Sequence, residues 1–211
     1  MQEYHKIDSV FKRDPATKHK TMLVGEFSCP EFEYLKDNKW QFTEKVDGTN
    51  IRVIYSEGRV TFGGRTDAAS IPATLVERLR ERFDTPEQIE RFKAVSEEGL
   101  CLYGEGYGAR IQKDGGNYRQ DQDFVLFDVL VGNWWLQRQD VVGVASKFDI
   151  DVVPLIGDGT LADMFERTAK GFRSAWGDFL AEGIVARPQT ELRRRDGKRI
   201  ITKLKHRDFT G

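Results

Sequence analysis

Cysteine is almost absent from this chain: Cys29 and Cys101 are the only two, far apart and without a CxxC spacing. That pattern excludes a disulfide framework and a structural zinc site. A surplus of charge is also missing, since 33 lysines and arginines face 34 acidic residues for a formal net charge of −1. The protein therefore has no overall basic field, and any contact with nucleic acid must come from a local strip. No apolar h-region follows the opening Met-Gln-Glu-Tyr-His-Lys, and no stretch has the length of a membrane span. A soluble, intracellular, cytoplasmic protein is expected. Repeats, low-complexity segments and Pro/Gly/Ser linkers are absent too, so the 211 residues read as a single domain over 1–211.

What is present is enough apolar material for a sizeable core, 39% hydrophobic with 14 phenylalanines. A basic strip closes the sequence, from Arg187 through Arg193, Arg194, Arg195, Lys198, Arg199, Lys203 and Lys205 to Arg207. Alternation over Trp40, Phe42 and Glu44, then Ile51, Val53 and Tyr55, a Ser56–Arg59 turn, and Val60 and Phe62 predicts a β-hairpin with Lys45 at the end of its first part. The period changes over 70–97, where Leu75, Leu79 and Phe83, then Ile89, Phe92 and Val95, predict two helices, the second opened by Thr85-Pro86-Glu87. Strands are expected at 100–105, at 124–131 as a central strand, and at 152–156. Helices are expected at 138–148 and 160–170, with a helical turn over 174–180. Two final strands, 183–187 and 198–205, are joined through Arg195-Asp196-Gly197. The fold class is α+β, rich in antiparallel sheet, with flanking helices.

The run Phe42-Thr43-Glu44-Lys45-Val46-Asp47-Gly48-Thr49-Asn50 carries the most chemistry. A lysine just before Asp-Gly at a strand end fits a nucleophile held by a tight turn beside a phosphate site. Free lysine has a pKa of roughly 10.4, so a nucleophilic lysine needs nearby positive charge or a metal to lower its proton affinity. Lys203 and Lys205 suit that task, because residues i and i+2 of a strand share a face and can converge on one phosphate. Glu105 lies at the end of an apolar strand, a costly place for an unpaired carboxylate. Gly104-Glu105-Gly106-Tyr107-Gly108-Ala109 matches the loose dinucleotide-binding pattern, but a polar stretch with Gly115-Gly116 follows it instead of an apolar helix.

Lys45-Val46-Asp47-Gly48-Thr49-Asn50, Gly64-Arg65-Thr66, Tyr103-Gly104-Glu105, Phe127-Asp128-Val129, Glu182-Gly183-Ile184-Val185 and Lys203-Leu204-Lys205 stand in this order along most of the chain. Together they resemble the ordered motifs of covalent nucleotidyltransferases, the superfamily of ATP-dependent RNA ligases, DNA ligases and capping guanylyltransferases. The Thr-Asn after Asp-Gly resembles the RNA ligase 2 branch and its phage relatives, which act in RNA repair. The resemblance implies a nucleotidyltransferase fold, the ATP-grasp-like ligase adenylation domain. It also implies ATP as cofactor, with Mg²⁺ or Mn²⁺, and attack by Lys45 on the α-phosphorus to give a lysyl-AMP.

Residue by residue, the resemblance makes Lys45, Glu182, Lys203 and Lys205 catalytic. Glu44, Asn50, Arg65, Glu105 and Phe127 would contact the nucleotide, with Arg65 offering its guanidinium fork to phosphate or ribose and Phe127 stacking on adenine. Phe124 is an alternative stacking residue. Glu105 and Glu182 would organise a hydrated metal. The implied partners are RNA ends, a nicked duplex or an RNA/DNA hybrid, and the implied setting is a bacterial host of a phage. No separate OB-fold or C-terminal domain is expected, because the sequence ends six residues after Lys205. Joining of 3′-hydroxyl and 5′-phosphate RNA ends is the leading expectation. DNA nick sealing by the same chemistry and non-catalytic nucleic-acid binding remain alternatives.

Overall fold

A computed structural model describes residues 2–210. The strands are β1 (Asp8–Ser9), β2 (Phe11–Arg13), β3 (Met22–Phe27), β4 (Trp40–Lys45), β5 (Thr49–Ser56), β6 (Arg59–Gly64), β7 (Leu100–Gly108), β8 (Gln122–Val131), β9 (Trp134–Trp135), β10 (Leu155–Gly159), β11 (Gly183–Pro188) and β12 (Thr202–Lys205). The helices are α1 (Pro30–Tyr34), α2 (Ala73–Phe83), α3 (Pro86–Val95), α4 (Arg138–Phe148) and α5 (Leu161–Lys170). The class is α+β and antiparallel-rich, as the sequence predicts. Among the described residues no helix is long and apolar enough to cross a membrane.

The chain's contacts divide it into two compact units. The hairpin unit holds Asp47–Val153 with the first few residues, and the lysine unit holds His5–Val46 and everything from Pro154 onward. The chain passes between them at Tyr4-His5, Val46-Asp47 and Val153-Pro154, without a Gly/Ser-rich linker at any of these points.

In the hairpin unit a sheet of order β6-β5-β7-β8-β9 is antiparallel throughout. One face carries Ile51, Val53, Tyr55, Leu100, Leu102, Phe124 and Leu126, buried against Leu75, Leu79 and Phe83 of α2, Phe92 of α3 and Val141 and Phe148 of α4. Burying such side chains fully stabilises by about 1.5–3 kcal/mol each. Helix α3 begins where Thr85 Oγ1 accepts from the Gln88 N–H and Pro86 occupies the first turn. The opposite face presents Asn50, Arg52, Tyr103, Glu105 and Asp128, with the Tyr4 hydroxyl donating to Asp128 at 2.6 Å.

In the lysine unit the sheet order is β1-β12-β11-β4-β10, parallel only at β1–β12. Trp40, Phe42, Ile184, Ala186 and Leu204 form its buried face, packed with Leu161 and Met164 of α5. A capping box of Thr160 and Asp163 starts α5.

Two local expectations are corrected. The hairpin is β5–β6, and β4 pairs instead with β11 and β10 in the other sheet. Alternation identifies a strand but not its partner, which here lies more than a hundred residues away. Residues 174–180 are not helical: Arg173 bridges Leu180, the Ser174 N–H donates to Phe179 O at 2.9 Å, and the segment closes as a non-helical loop.

Candidate active site

Register places the lysines. Gly183 of β11 stands opposite both Lys45 of β4 and Lys205 of β12, and Val185 stands opposite Thr43 and Lys203. The three ammonium-bearing side chains therefore share one face of the sheet. Gly183 is required between them, since an added Cβ would sit 2.0 Å from Leu204 O and 2.8 Å from Lys205 Cα. Glu182, just before β11, bridges the set. Lys45 Nζ donates to its Oε2 at 2.5 Å, and Lys205 Nζ pairs with its Oε1 at 2.6 Å, off the line of a hydrogen bond. The Glu182 backbone is fixed as well, its carbonyl accepting from the His206 N–H at 2.8 Å.

Burial, then the charges of Lys45 and Lys205, push the Lys203 ammonium down to a pKa of about 8. Three lysines against one carboxylate leave positive charge in a partly desolvated place. A phosphate would relieve it.

Glu44 occupies the opposite face of β4, buried with Trp40 and Phe42. Its carboxylate accepts from Ser174 Oγ at 2.6 Å and from the Ala175 N–H at 2.8 Å, tying down the 171–182 loop that leads to Glu182. Burial raises its pKa, against the pull of those two bonds. The strand's two-residue period thus sends Glu44 and Lys45 to different environments.

In the hairpin unit, Asn50 and Glu105 are direct cross-strand partners on β5 and β7. Asn50 Oδ1 is buried with no hydrogen-bond partner, which is costly unless a ligand donates to it. Gly48 explains the glycine of the Asp-Gly turn: a Cβ there would lie 2.3 Å from Gly106 O and 2.7 Å from Glu105 Cγ. Phe127 is the extra residue of a β-bulge, because Tyr103 pairs with Asp128 and Gly104 with Leu126. The bulge turns Phe127 out of the helix-facing core and onto Tyr4, ring centroids 5.1 Å apart. Phe124, by contrast, is core, fully buried and edge-on to Phe83 at 5.5 Å. Arg65 is exposed in the turn after β6.

Arg52, which the sequence reading did not single out, is buried beneath that turn. Its Nε donates to Gly64 O at 2.7 Å and its Nη2 to Asp67 Oδ1 at 2.6 Å. The available signal was an arginine between Ile51 and Val53 in a strand, facing Gly63 across the hairpin.

The basic strip is not one surface. Arg199 is buried against Glu191, Arg194 pairs with Asp8 and lies over the Phe32 ring, and Arg193, Arg195 and Lys198 are exposed. Gly104-Glu105-Gly106-Tyr107-Gly108 is extended strand, so it forms no phosphate loop at a helix start. No cluster of three or more His, Cys, Asp or Glu side chains that could hold a metal occurs among the described residues. Glu182 has both oxygens turned to ammonium groups, whereas Glu105 and the orphaned Asn50 Oδ1 are hard oxygen donors of the kind that hold Mg²⁺ or Mn²⁺ through water.

Solved structures share this fold. Three of the Naegleria gruberi RNA ligase match: an apo variant (20% identity, TM-score 0.66, 99% of this chain and 58% of that one), a variant with ATP and Mn (21%, 0.68, 97% and 56%) and a variant with AMP and Mn (21%, 0.62, 97% and 58%). The chain thus spans somewhat more than half the length of the Naegleria protein. No curated protein matches it by sequence. The model of the RNA ligase family matches residues 38–205, which takes in β4 through β12 with all the lysines described above. The chain belongs to the RNA ligase family.

Proposed function

We propose that this protein is an ATP-dependent RNA ligase that works through a lysyl-AMP on Lys45. The observation that carries the reading is the Lys45–Glu182–Lys205 bridge with Lys203 on the same sheet face. Lys45 Nζ, as the free amine, attacks the α-phosphorus of ATP; the bond to pyrophosphate breaks and the amine proton is lost to solvent. Lys203 and Lys205 offset the negative charge that gathers on the α-phosphate oxygens. Glu182 holds Lys45 and Lys205 in register before nucleotide arrives. An RNA 5′-phosphate oxygen then attacks the same phosphorus, which returns the lysine and leaves an adenylylated end. A 3′-hydroxyl displaces AMP from that end and closes the phosphodiester.

In the hairpin unit, Asn50, Arg65 and Glu105 are assigned to ribose and phosphate, and Phe127 to the base. Mg²⁺ or Mn²⁺ would be held through water by Glu105 and Asn50, and would supply charge neutralisation for the polyphosphate. Support for ATP and a divalent metal comes from the Naegleria RNA ligase, which has been solved with both.

The test is incubation with α-labelled ATP and Mg²⁺, followed by an end-joining panel of nicked duplexes with RNA or DNA 3′-hydroxyl strands. Label on the protein and preferential sealing of RNA 3′ ends are expected. A protein that never takes label refutes the ligase reading, and equal sealing of DNA ends refutes the RNA preference.

A further inference from the structure

We propose that Arg52 is a positioning residue for Arg65, fixing the turn that presents it to the nucleotide; this rests on the assignment of Arg65 made above. Arg52 is 1% exposed and faces Gly63 across the β5–β6 hairpin. Its guanidinium grips the turn on both sides of Arg65, at the Gly64 carbonyl before it and the Asp67 carboxylate after it. A third tie comes from Glu3, whose Oε1 accepts from the Asp67 N–H at 2.8 Å.

The glycines around the turn make room for this clamp. A Cβ at Gly63 would lie 2.9 Å from Arg52 Nη2, in the slot the guanidinium fills. A Cβ at Gly64 would lie 2.7 Å from Ala69 Cβ, where the turn folds back.

The arginine is a poor device for stability. Its Nη1 is buried without a partner, and the carboxylate it pairs with is 82% exposed. Burying a guanidinium on those terms is unfavourable, and an apolar side chain of similar length would fill the space without that penalty. What an apolar residue would not supply is a rigid two-pronged hold on the Gly64 carbonyl before Arg65 and the Asp67 carboxylate after it. A small displacement of a group that binds a reacting phosphate is enough to lose much of its effect.

The experiment measures ATP affinity by titration calorimetry, with self-adenylylation and the unfolding midpoint, for Arg52→Met, Arg52→Lys, Asp67→Asn, Arg65→Ala and the Arg52→Met/Arg65→Ala double variant. Arg52→Met is expected to unfold near the wild-type midpoint yet bind ATP about tenfold more weakly. Arg52→Lys, which keeps the charge and loses the fork, is expected to resemble it. The double variant should be no weaker than Arg65→Ala alone. Asp67→Asn removes only the exposed half of the clamp, so it gives the answer if Arg52→Met does not fold. Losses that multiply in the double variant, or wild-type affinity in both Arg52→Met and Asp67→Asn, overturn the proposal while the ligase reading stands. A wild type that neither binds ATP nor takes label overturns both.

Discussion

Replacing Glu182 by glutamine keeps the side chain's size and removes its charge. In the native cluster that charge lies between two ammonium groups, at 2.5 Å from Lys45 and 2.6 Å from Lys205. At an effective dielectric constant near 20, each pair attracts at these separations by about 6–7 kcal/mol before desolvation is subtracted. Removing one partner from a fully buried pair costs about 3–5 kcal/mol, because the other charge is left alone. Here the three side chains retain 10%, 18% and 20% exposure, so solvent recovers part of the loss. A destabilisation of about 2–3 kcal/mol is expected at pH 7, or about 4–12 °C in midpoint for a chain of this size.

The pH dependence gives a second, independent check. Lys203 titrates near 8 in the folded protein, well below its ordinary value, so between pH 8 and about 10.5 the unfolded chain binds more protons at this site. Stability contributed by this group therefore rises with pH across that window. Without the Glu182 charge the cluster repels itself more strongly, so the gap between Glu182→Gln and wild type should narrow as pH rises through 8. Urea unfolding at pH 7 and pH 9.5 measures both effects. An unchanged midpoint at pH 7, or a gap that widens with pH, would refute the bridging role of the carboxylate.

Two further predictions follow from the same sheet. If the Lys203 cation is required at the α-phosphate, kcat/KM for adenylylation should fall with an alkaline limb near pH 8, and Lys203→Arg should move that limb upward; a limb that stays in place removes Lys203 from the charge-neutralising role. Gly183→Ala should break the β11–β12 register, costing about 3 kcal/mol and most of the labelling, since its Cβ overlaps Leu204 O; a variant as stable as wild type would show that the sheet tolerates a side chain there.

Legibility in the sequence followed the range of the interactions. Helices α2, α3, α4 and α5 were readable because period and cap are local: Leu75, Leu79 and Phe83 recur on one face, and Thr85 and Thr160 supply capping oxygens. Strands β4 to β8 and β10 to β12 were readable as strands and β1, β2, β3 and β9 were not, and β4 was joined to the wrong partner because alternation carries no pairing information. The convergence of Lys45, Lys203 and Lys205 was foreseeable from i, i+2 spacing and motif order. The opposite destinations of Glu44 and Lys45 depend on which face of β4 is buried, which the motif alone does not say. The bulge that frees Phe127 from the core exists only in the pairing of β7 with β8. Arg52 was hidden by its own alternation, which reads as a solvent-facing position until the 64–69 turn closes over it.

The measurement that bears most directly on the central claim is the site of covalent modification after reaction with ATP and Mg²⁺. Intact-mass analysis followed by peptide mapping should find one AMP per chain, on the peptide containing Lys45. The linkage should be acid-labile, as a phosphoramidate is, and absent from Lys45→Ala. An unmodified protein, or AMP carried on Lys203, Lys205 or a carboxylate instead, would contradict the account.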